Sequence, residues 1–176
     1  MTQTQPHVPG AADEEAFGMR LAELAGERLV VLHDRRMPAS RGNIDHLAVT
    51  PRGVFVIDVK HDSGSLERRN FGNTIRPDVR LYVGGCDLTM LLHGVEDQAE
   101  VVRDVLSPAW FVDSPVRGVL CFTGADWGPF SSPFKLGDVL VTPPKFLYGL
   151  LSKEAEVATS AIQDAARALA IALPSA

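Results

Sequence analysis

The stretch NIDHLAVTPRGVFVIDVK, residues 43–60, constrains this chain more than any other. NIDHLAVT (43–50) and GVFVIDVK (53–60) read as two strands joined by a turn at Pro51-Arg52. The second strand is almost wholly apolar before Asp58. That pattern belongs to a central strand covered on both faces. A strand so covered needs helices above and below its sheet, so the expected fold is α/β with a mixed central sheet.

The rest of the chain supplies those layers. AADEEAFGMRLAELA (11–25) places Phe17, Leu21 and Leu24 on one helical face, and Gly26 can end the helix. ERLVVLHD (27–34) reads as a short strand. Residues 61–78 read as a polar loop with a short strand near Gly64–Glu67, followed by the strand RLYVGG (80–85). GVEDQAEVVRDVL (94–106) is an amphipathic helix with Val95, Val102 and Leu106 turned to the core. VRGVLCFTG (116–124) is a buried strand, 125–138 a loop and VLVT (139–142) a last strand. One or two helices then finish the chain, the alanine-rich one serving as packing or dimer surface. The expected organisation is a disordered tail over 1–10, one domain over 11–152, and a C-terminal helix over 153–176 packed on that domain.

Composition narrows the class. Hydrophobic residues make up 45 % and charged residues 22 % of the 176, the profile of a folded domain with a real core. No apolar run could span a bilayer, and the start of the chain lacks a secretory pattern, so the expected setting is cytoplasmic. Cys86 and Cys121 form no metal-binding or disulfide pattern and read as two buried small hydrophobes. The net charge of −5 is unlike that of a protein that coats nucleic acid. Residues 28–80 nevertheless carry ten Lys/Arg against six Asp/Glu. That basic half could steer a polyanion toward 43–60, or be an ordinary mixed surface.

Chemistry concentrates at the strand ends. Asp58 and Lys60 project on the same side of their strand, and the hairpin register brings Asp45 of the neighbouring strand toward Asp58. Two convergent carboxylates suit a hard divalent cation, Mg²⁺ or Mn²⁺, which can polarise a phosphate oxygen and acidify water. A lysine beside them can orient or deprotonate water or stabilise developing charge. An Asp-x-Lys triplet alone is more often a surface ion pair. Here Asp58 closes an apolar run, where a carboxylate is costly unless something pairs with it.

The segment GERLVVLHDRRMPASRGNIDHLAVTPRGVFVIDVKHDSGSLE resembles the core of the nuclease-related domain family, within the PD-(D/E)xK, restriction-endonuclease-like group. Ile-Asp-His, Thr-Pro-Arg-Gly-Val, Asp-Val-Lys and the following Ser-Gly match its pattern in order and spacing. LYVGG, the helix bearing Gln98 and VRGVLCFTGADW extend the likeness over roughly 13–150. The resemblance implies Asp45 and Asp58 as metal-binding acids and Lys60 as the catalytic lysine. The family's first helix offers a Glu after a Gly; here the pair is Asp13-Glu14, so Glu14 takes that place, with Glu15 as the alternative. Gln98 takes the place of a helix glutamine that orients metal-associated water or substrate, or is a solvated surface residue.

Other features carry less. His46 reads as a packed histidine, and His33-Asp34 and His61-Asp62 lack the further ligands of His-Asp phosphohydrolases. No phosphate-binding loop and no nucleophile elbow occurs. Phe55, Trp110, Phe111, Phe122, Trp127 and Phe130 read as core and loop packing. Arg68, Arg69 and Arg76, in the polar loop, are the candidate contacts to a phosphate backbone. The expected activity is metal-dependent hydrolysis of DNA phosphodiesters. The alternatives are a non-catalytic binding or scaffold domain and a hydrolase of RNA or another phosphodiester. A homodimer, or a partner protein that supplies DNA binding, fits either version.

Overall fold

The computed structural model describes residues 9–38, 42–106, 115–129 and 132–176. Fourteen elements follow in chain order. They are α1 (Pro9–Leu24), β1 (Val30–Arg36), β2 (Asn43–Thr50), β3 (Gly53–Lys60), β4 (Gly64–Asn70), β5 (Val79–Val83), β6 (Cys86–Asp87) and α2 (Met90–Leu106). After them come β7 (Val116–Phe122), β8 (Ala125–Asp126), β9 (Phe134–Leu136), β10 (Val139–Thr142), α3 (Pro144–Leu151) and α4 (Thr159–Ala172). Six strands form the main sheet in the order β1-β2-β3-β7-β10-β9, and a smaller sheet runs β6-β5-β4-β8. β3 pairs antiparallel with β2 and parallel with β7, so the sheet is mixed.

β3 is the central strand that its apolar run demands. Seven of its eight residues are buried. On one face, Val54 and Val56 of β3 and Leu47 and Val49 of β2 pack against Ala99, Val102 and Leu106 of α2 and Ile162, Ala165, Ala166 and Leu169 of α4. On the other, Phe55, Ile57 and Val59 meet Phe17 and Leu21 of α1 and Leu147 and Leu151 of α3. Helices therefore cover both faces, an α/β fold consistent with a restriction-endonuclease-like core. The small side chains of α4 serve packing, and the chain beyond it returns to β1, where Arg36 donates its N–H to the Pro174 carbonyl at 2.9 Å. Among the described residues no helix is long and apolar enough to cross a membrane.

Several boundaries differ from the sequence reading, each for a tertiary reason. β1 runs through Arg36 rather than stopping at Asp34, because Arg35 and Arg36 pair with Ile44 and Asn43. β4 extends through Arg68 and Arg69 to Asn70, since cross-strand pairing with β5 outweighs their polarity. α2 starts at Met90, one turn early, after the Thr89 N–H bonds Asp87 Oδ1. The loop expected over 125–138 contains β8 and β9. Cys86 is exposed rather than buried, because β6 is a two-residue edge strand behind the Gly84-Gly85 turn; Cys121 is buried as expected. α1 already includes Pro9 and Gly10, placed in the tail by the sequence reading. The remaining tail, 1–8, and Trp110, Phe111 and Phe130 lie outside the described residues.

Candidate active site

The site forms where β2 leaves the regular ladder. Its pairing with β3 ends at His46–Ile57, and its pairing with β1 passes from His33–His46 to Arg35–Ile44 without a pair at Asp45. Asp34, the residue opposite, has φ +46°, a conformation that Asp tolerates better than most residues. The freed position turns the Asp45 side chain onto the neighbouring strand, where Oδ2 accepts the Val59 N–H at 3.0 Å. Asp45 thereby lies against the end of β3, between the side chains that flank Val59.

Asp58 is 8 % exposed and forms an ion pair with Lys60, two residues along the same strand. It also shares a hydrogen bond with Asp45. Burial above all, then that bond and the nearby Asp45 charge, push the Asp58 carboxyl up to about 7, against the pull of Lys60. Lys60 loses some basicity to burial, but Asp58, Asp45 and Glu14 outweigh that and raise it overall. Glu14, on α1, is raised by partial burial and by Asp45, with Lys60 opposing. Four of the residues singled out from the sequence, Glu14, Asp45, Asp58 and Lys60, thus form one electrostatic unit. Glu15 stands beside Glu14 on the rim of a 480 Å³ cavity that also touches Gly18, His33 and His46.

Gln98 is elsewhere. Its Nε2 donates to the Asn43 carbonyl at 3.3 Å, tethering α2 to the start of β2, and its buried Oε1 has no hydrogen-bond partner among the described residues. No hydrogen bond joins it to Asp45, Asp58 or Lys60 among the described residues. The three arginines lie on the β4–β5 hairpin. Arg68 stacks on Phe134 at 4.5 Å, Arg69 pairs with Glu67 at 3.0 Å and lies over Tyr82, and Arg76 stands in the exposed turn.

Two histidines complete the surroundings, one of them through a contact that sequence reasoning did not find. His61 Nδ1 lies 2.6 Å from Asp13 Oδ2 and 3.1 Å from Thr123 Oγ1. Thr123 also donates its N–H to the Lys60 carbonyl at 2.9 Å, so this cluster braces the strand end that carries the lysine. Asp13 belongs to α1, far from His61 in sequence, and no local pattern links them. His46 is buried against Phe17, with its Nδ1 2.8 Å from His33 Nδ1. Burial, then His33, bring His46 down to about 4, so it stays a neutral packed ring at neutral pH.

Asp45 and Asp58 are the two oxygen donors that could hold a hard cation. Among the described residues no group of three or more His, Cys, Asp or Glu is placed to do so. A two-carboxylate set is sufficient for Mg²⁺, which is usually completed by waters and substrate phosphates. The pair's own state fits that role. Two carboxyls this close repel when both ionise, and a divalent cation held by both would relieve that repulsion.

No curated protein and no solved structure matched the chain on comparison. The family model described as nuclease-related domain matches residues 9–123, a span that runs from α1 through both carboxylates and Lys60 to Thr123. With that match over more than half its length, and with the acids and the lysine gathered at the end of its central strand, the chain belongs to the nuclease-related domain family.

Proposed function

We propose that this protein is a metal-dependent nuclease that hydrolyses DNA phosphodiester bonds at the end of β3. Family membership supports a nuclease-related function, contact with nucleic acid and use of a divalent metal. The observation that carries the finer reading is the buried Asp58 carboxyl, with half-buried Asp45 beside it and Lys60 paired to it. Asp45 and Asp58 hold the cation. Bound Mg²⁺ or Mn²⁺ supplies Lewis acidity toward a phosphate oxygen and makes water a better nucleophile. Lys60, charged and fixed by Asp58, orients that water and offers N–H donors to charge that develops on the phosphate. The Val59 N–H holds the Asp45 carboxylate in place, so one donor of the set is preorganised by backbone. Glu14 closes the corner from the α1 side.

The test is incubation of supercoiled plasmid and linear single-stranded DNA with the protein, each with Mg²⁺, Mn²⁺ or chelator, beside Lys60→Ala. Metal-dependent cutting should fall by about a hundredfold or more in the variant, the usual scale of a positioned proton-transfer group. Equal cutting by parent and variant would remove the role given to Lys60. No cutting by folded parent would favour the binding-domain reading. That second reading draws on the arginines of the β4–β5 hairpin, of which Arg69 and Arg80 are already neutralised by Glu67 and Asp78.

A further inference from the structure

The β4–β5 hairpin is an arm that leaves the chain directly after the candidate site. Lys60 ends β3, and β4 begins at Gly64. The root of the arm is fixed. Gly64 has φ +109°, and a Cβ there would lie 2.6 Å from the Gly84 Cα, so the two backbones touch. Leu66, Leu81 and Val83 anchor the same end in a core with Leu120 and Phe122 of β7. Beyond that anchor the arm stands clear: residues 70–79 are exposed without interruption.

An exposed turn of this length is usually loose, and this one is not. Asn70 Oδ1 accepts the N–H of Gly72 at 2.9 Å and of Asp78 at 3.0 Å. Asn73 Oδ1 accepts the N–H of Ile75 at 2.9 Å and of Arg76 at 2.8 Å. The Asn73 N–H in turn bonds the Arg76 carbonyl at 3.0 Å. Gly72 is required, since a Cβ would lie 2.1 Å from the Arg76 carbonyl oxygen. The turn is therefore preorganised, and what it displays is apolar: Ile75 is 89 % exposed and Phe71 57 % exposed. Ordering a turn to present an isoleucine to water costs free energy with no return in the monomer.

Charge and shape say what the arm fits. Its four arginines face two carboxylates, and the two pairs Arg69–Glu67 and Arg80–Asp78 leave Arg68 and Arg76 without an anionic partner among the described residues. An arm with two unpaired guanidinium groups, on a chain of net charge −5, is complementary to a polyanion. A two-stranded antiparallel ribbon fits the major groove of duplex DNA, about 12 Å wide, and is too broad for the minor groove of about 6 Å. The part free to enter the major groove is the tip, residues 70–79, since Gly64 to Leu66 are held by β8 and the core.

We propose that the β4–β5 arm enters the major groove of duplex DNA, with Ile75 against thymine methyl groups and Arg68 and Arg76 on flanking phosphates. This assignment rests on the nuclease reading above and adds to it how the substrate is held. Arg69, matched by Glu67 and stacked on Tyr82, shapes the ribbon rather than binding phosphate.

The test measures binding by fluorescence anisotropy with chelator present, so no metal-dependent chemistry enters. The probes are an AT-rich duplex, the same duplex with uracil in place of thymine, the single strand and an RNA duplex of the same length. Parent protein should bind the thymine duplex most tightly. Ile75→Ser should weaken that binding about tenfold with an unchanged salt slope. Arg76→Gln should lower the salt slope by about one. Removing the thymine methyls should weaken the parent about threefold and leave Ile75→Ser unaffected, a coupling that a merely structural role for Ile75 would not give. Parental affinity in Ile75→Ser, an unchanged slope in Arg76→Gln, preference for the single strand or RNA, or no binding by the parent would each overturn the assignment. Metal-dependent cutting of plasmid that persists under any of those results keeps the nuclease reading while the arm loses its role. Binding as expected without cutting does the reverse.

Discussion

At the end of β3 two carboxyls and a lysine sit where burial leaves their charges unsettled, whereas along the β4–β5 arm most charges have an opposite neighbour. Asp58 is driven up to about 7 by burial and by its bond with Asp45. Glu67 and Asp78 are held below the usual carboxylate range by their bonds to Arg69 and Arg80. The first arrangement works against the stability of the metal-free fold; the second is neutral or mildly favourable. The difference is in what each region must still accept. A matched surface pair needs nothing more, while Asp58, buried beside Asp45, still carries the cost of burial after pairing with Lys60. Perturbed carboxyls on a rigid strand are accordingly the better guide to chemistry. The arm contributes through what it leaves unmatched, Ile75, Arg68 and Arg76.

The largest effect that separates the two regions is the response to metal. If Asp45 and Asp58 form the cation site, Mn²⁺ at a hundredfold excess over its dissociation constant should stabilise the parent by about 2.7 kcal/mol. Asp58→Ala should show none of this in the same thermal melts, and replacing Arg69 or Arg80 should leave the shift intact. An equal shift in the Asp58 variant would move the metal away from this corner.

Next in size is a pH dependence without metal. The folded carboxyl at Asp58 is raised from 3.8 to about 7, so between those values the folded state holds a proton that the unfolded chain has released. Stability then falls as pH rises through that window and levels off above about 7. Each tenfold difference in proton affinity between the folded and unfolded chain is worth about 1.4 kcal/mol, and coupling to the neighbouring charges trims the total to roughly 1 to 3 kcal/mol. Asp58→Asn should flatten the slope and melt above the parent near pH 8 with chelator present. Parallel pH profiles for parent and variant would show that burial at Asp58 is relieved in another way.

Much of this contrast is legible in the sequence, though unevenly. The bounds of β2 and β3 match residue for residue, because an apolar run, a Pro-Arg turn and a second apolar run leave one register that buries both strands. That register carries Asp45 toward the end of β3, but its final placement comes from the break in the ladder there, and what the pair holds is not legible. The arm is hidden. Its strand β4 is polar, and its order comes from Asn70 and Asn73 bonding backbone across the turn and from Arg68 stacking on Phe134, contacts that no local periodicity encodes. Gln98 illustrates the opposite risk. A helix glutamine at a suggestive position bonds the Asn43 backbone instead of the acids, because a helix face alone does not say which strand end it overlies. The contact between Asp13 and His61 is invisible for the reason that long-range pairs usually are.

Gly64→Ala sharpens the comparison at the joint between the regions. A side chain at φ +109° is strained, and its Cβ would press on the Gly84 backbone, so we expect a loss of roughly 1 to 2 kcal/mol. The loss should be local. Hydrogen exchange should quicken at Leu66 to Val83 while β3 and β7, cored by Phe55 and Leu120, stay protected. Faster exchange at Asp58 and Lys60 as well would mean that the arm and the acid corner move as one body.

The smallest effect belongs to the paired arginines, and it is the sharpest check on the contrast. Arg80 bonds Asp78 at 2.7 Å, lies 3.8 Å from Asp87 and stacks over Phe71 at 4.9 Å, yet much of the pair's surface faces water. Water and salt already screen such charges, and holding two long side chains together costs entropy that offsets the attraction. Arg80→Gln should therefore melt with the parent, and the agreement should hold from low to high salt. If instead the variant melts lower and the gap closes with added salt, the arm's charges carry stability of their own. The two regions would then differ in degree, and Arg68 and Arg76 could no longer be set apart as the charges left for a partner.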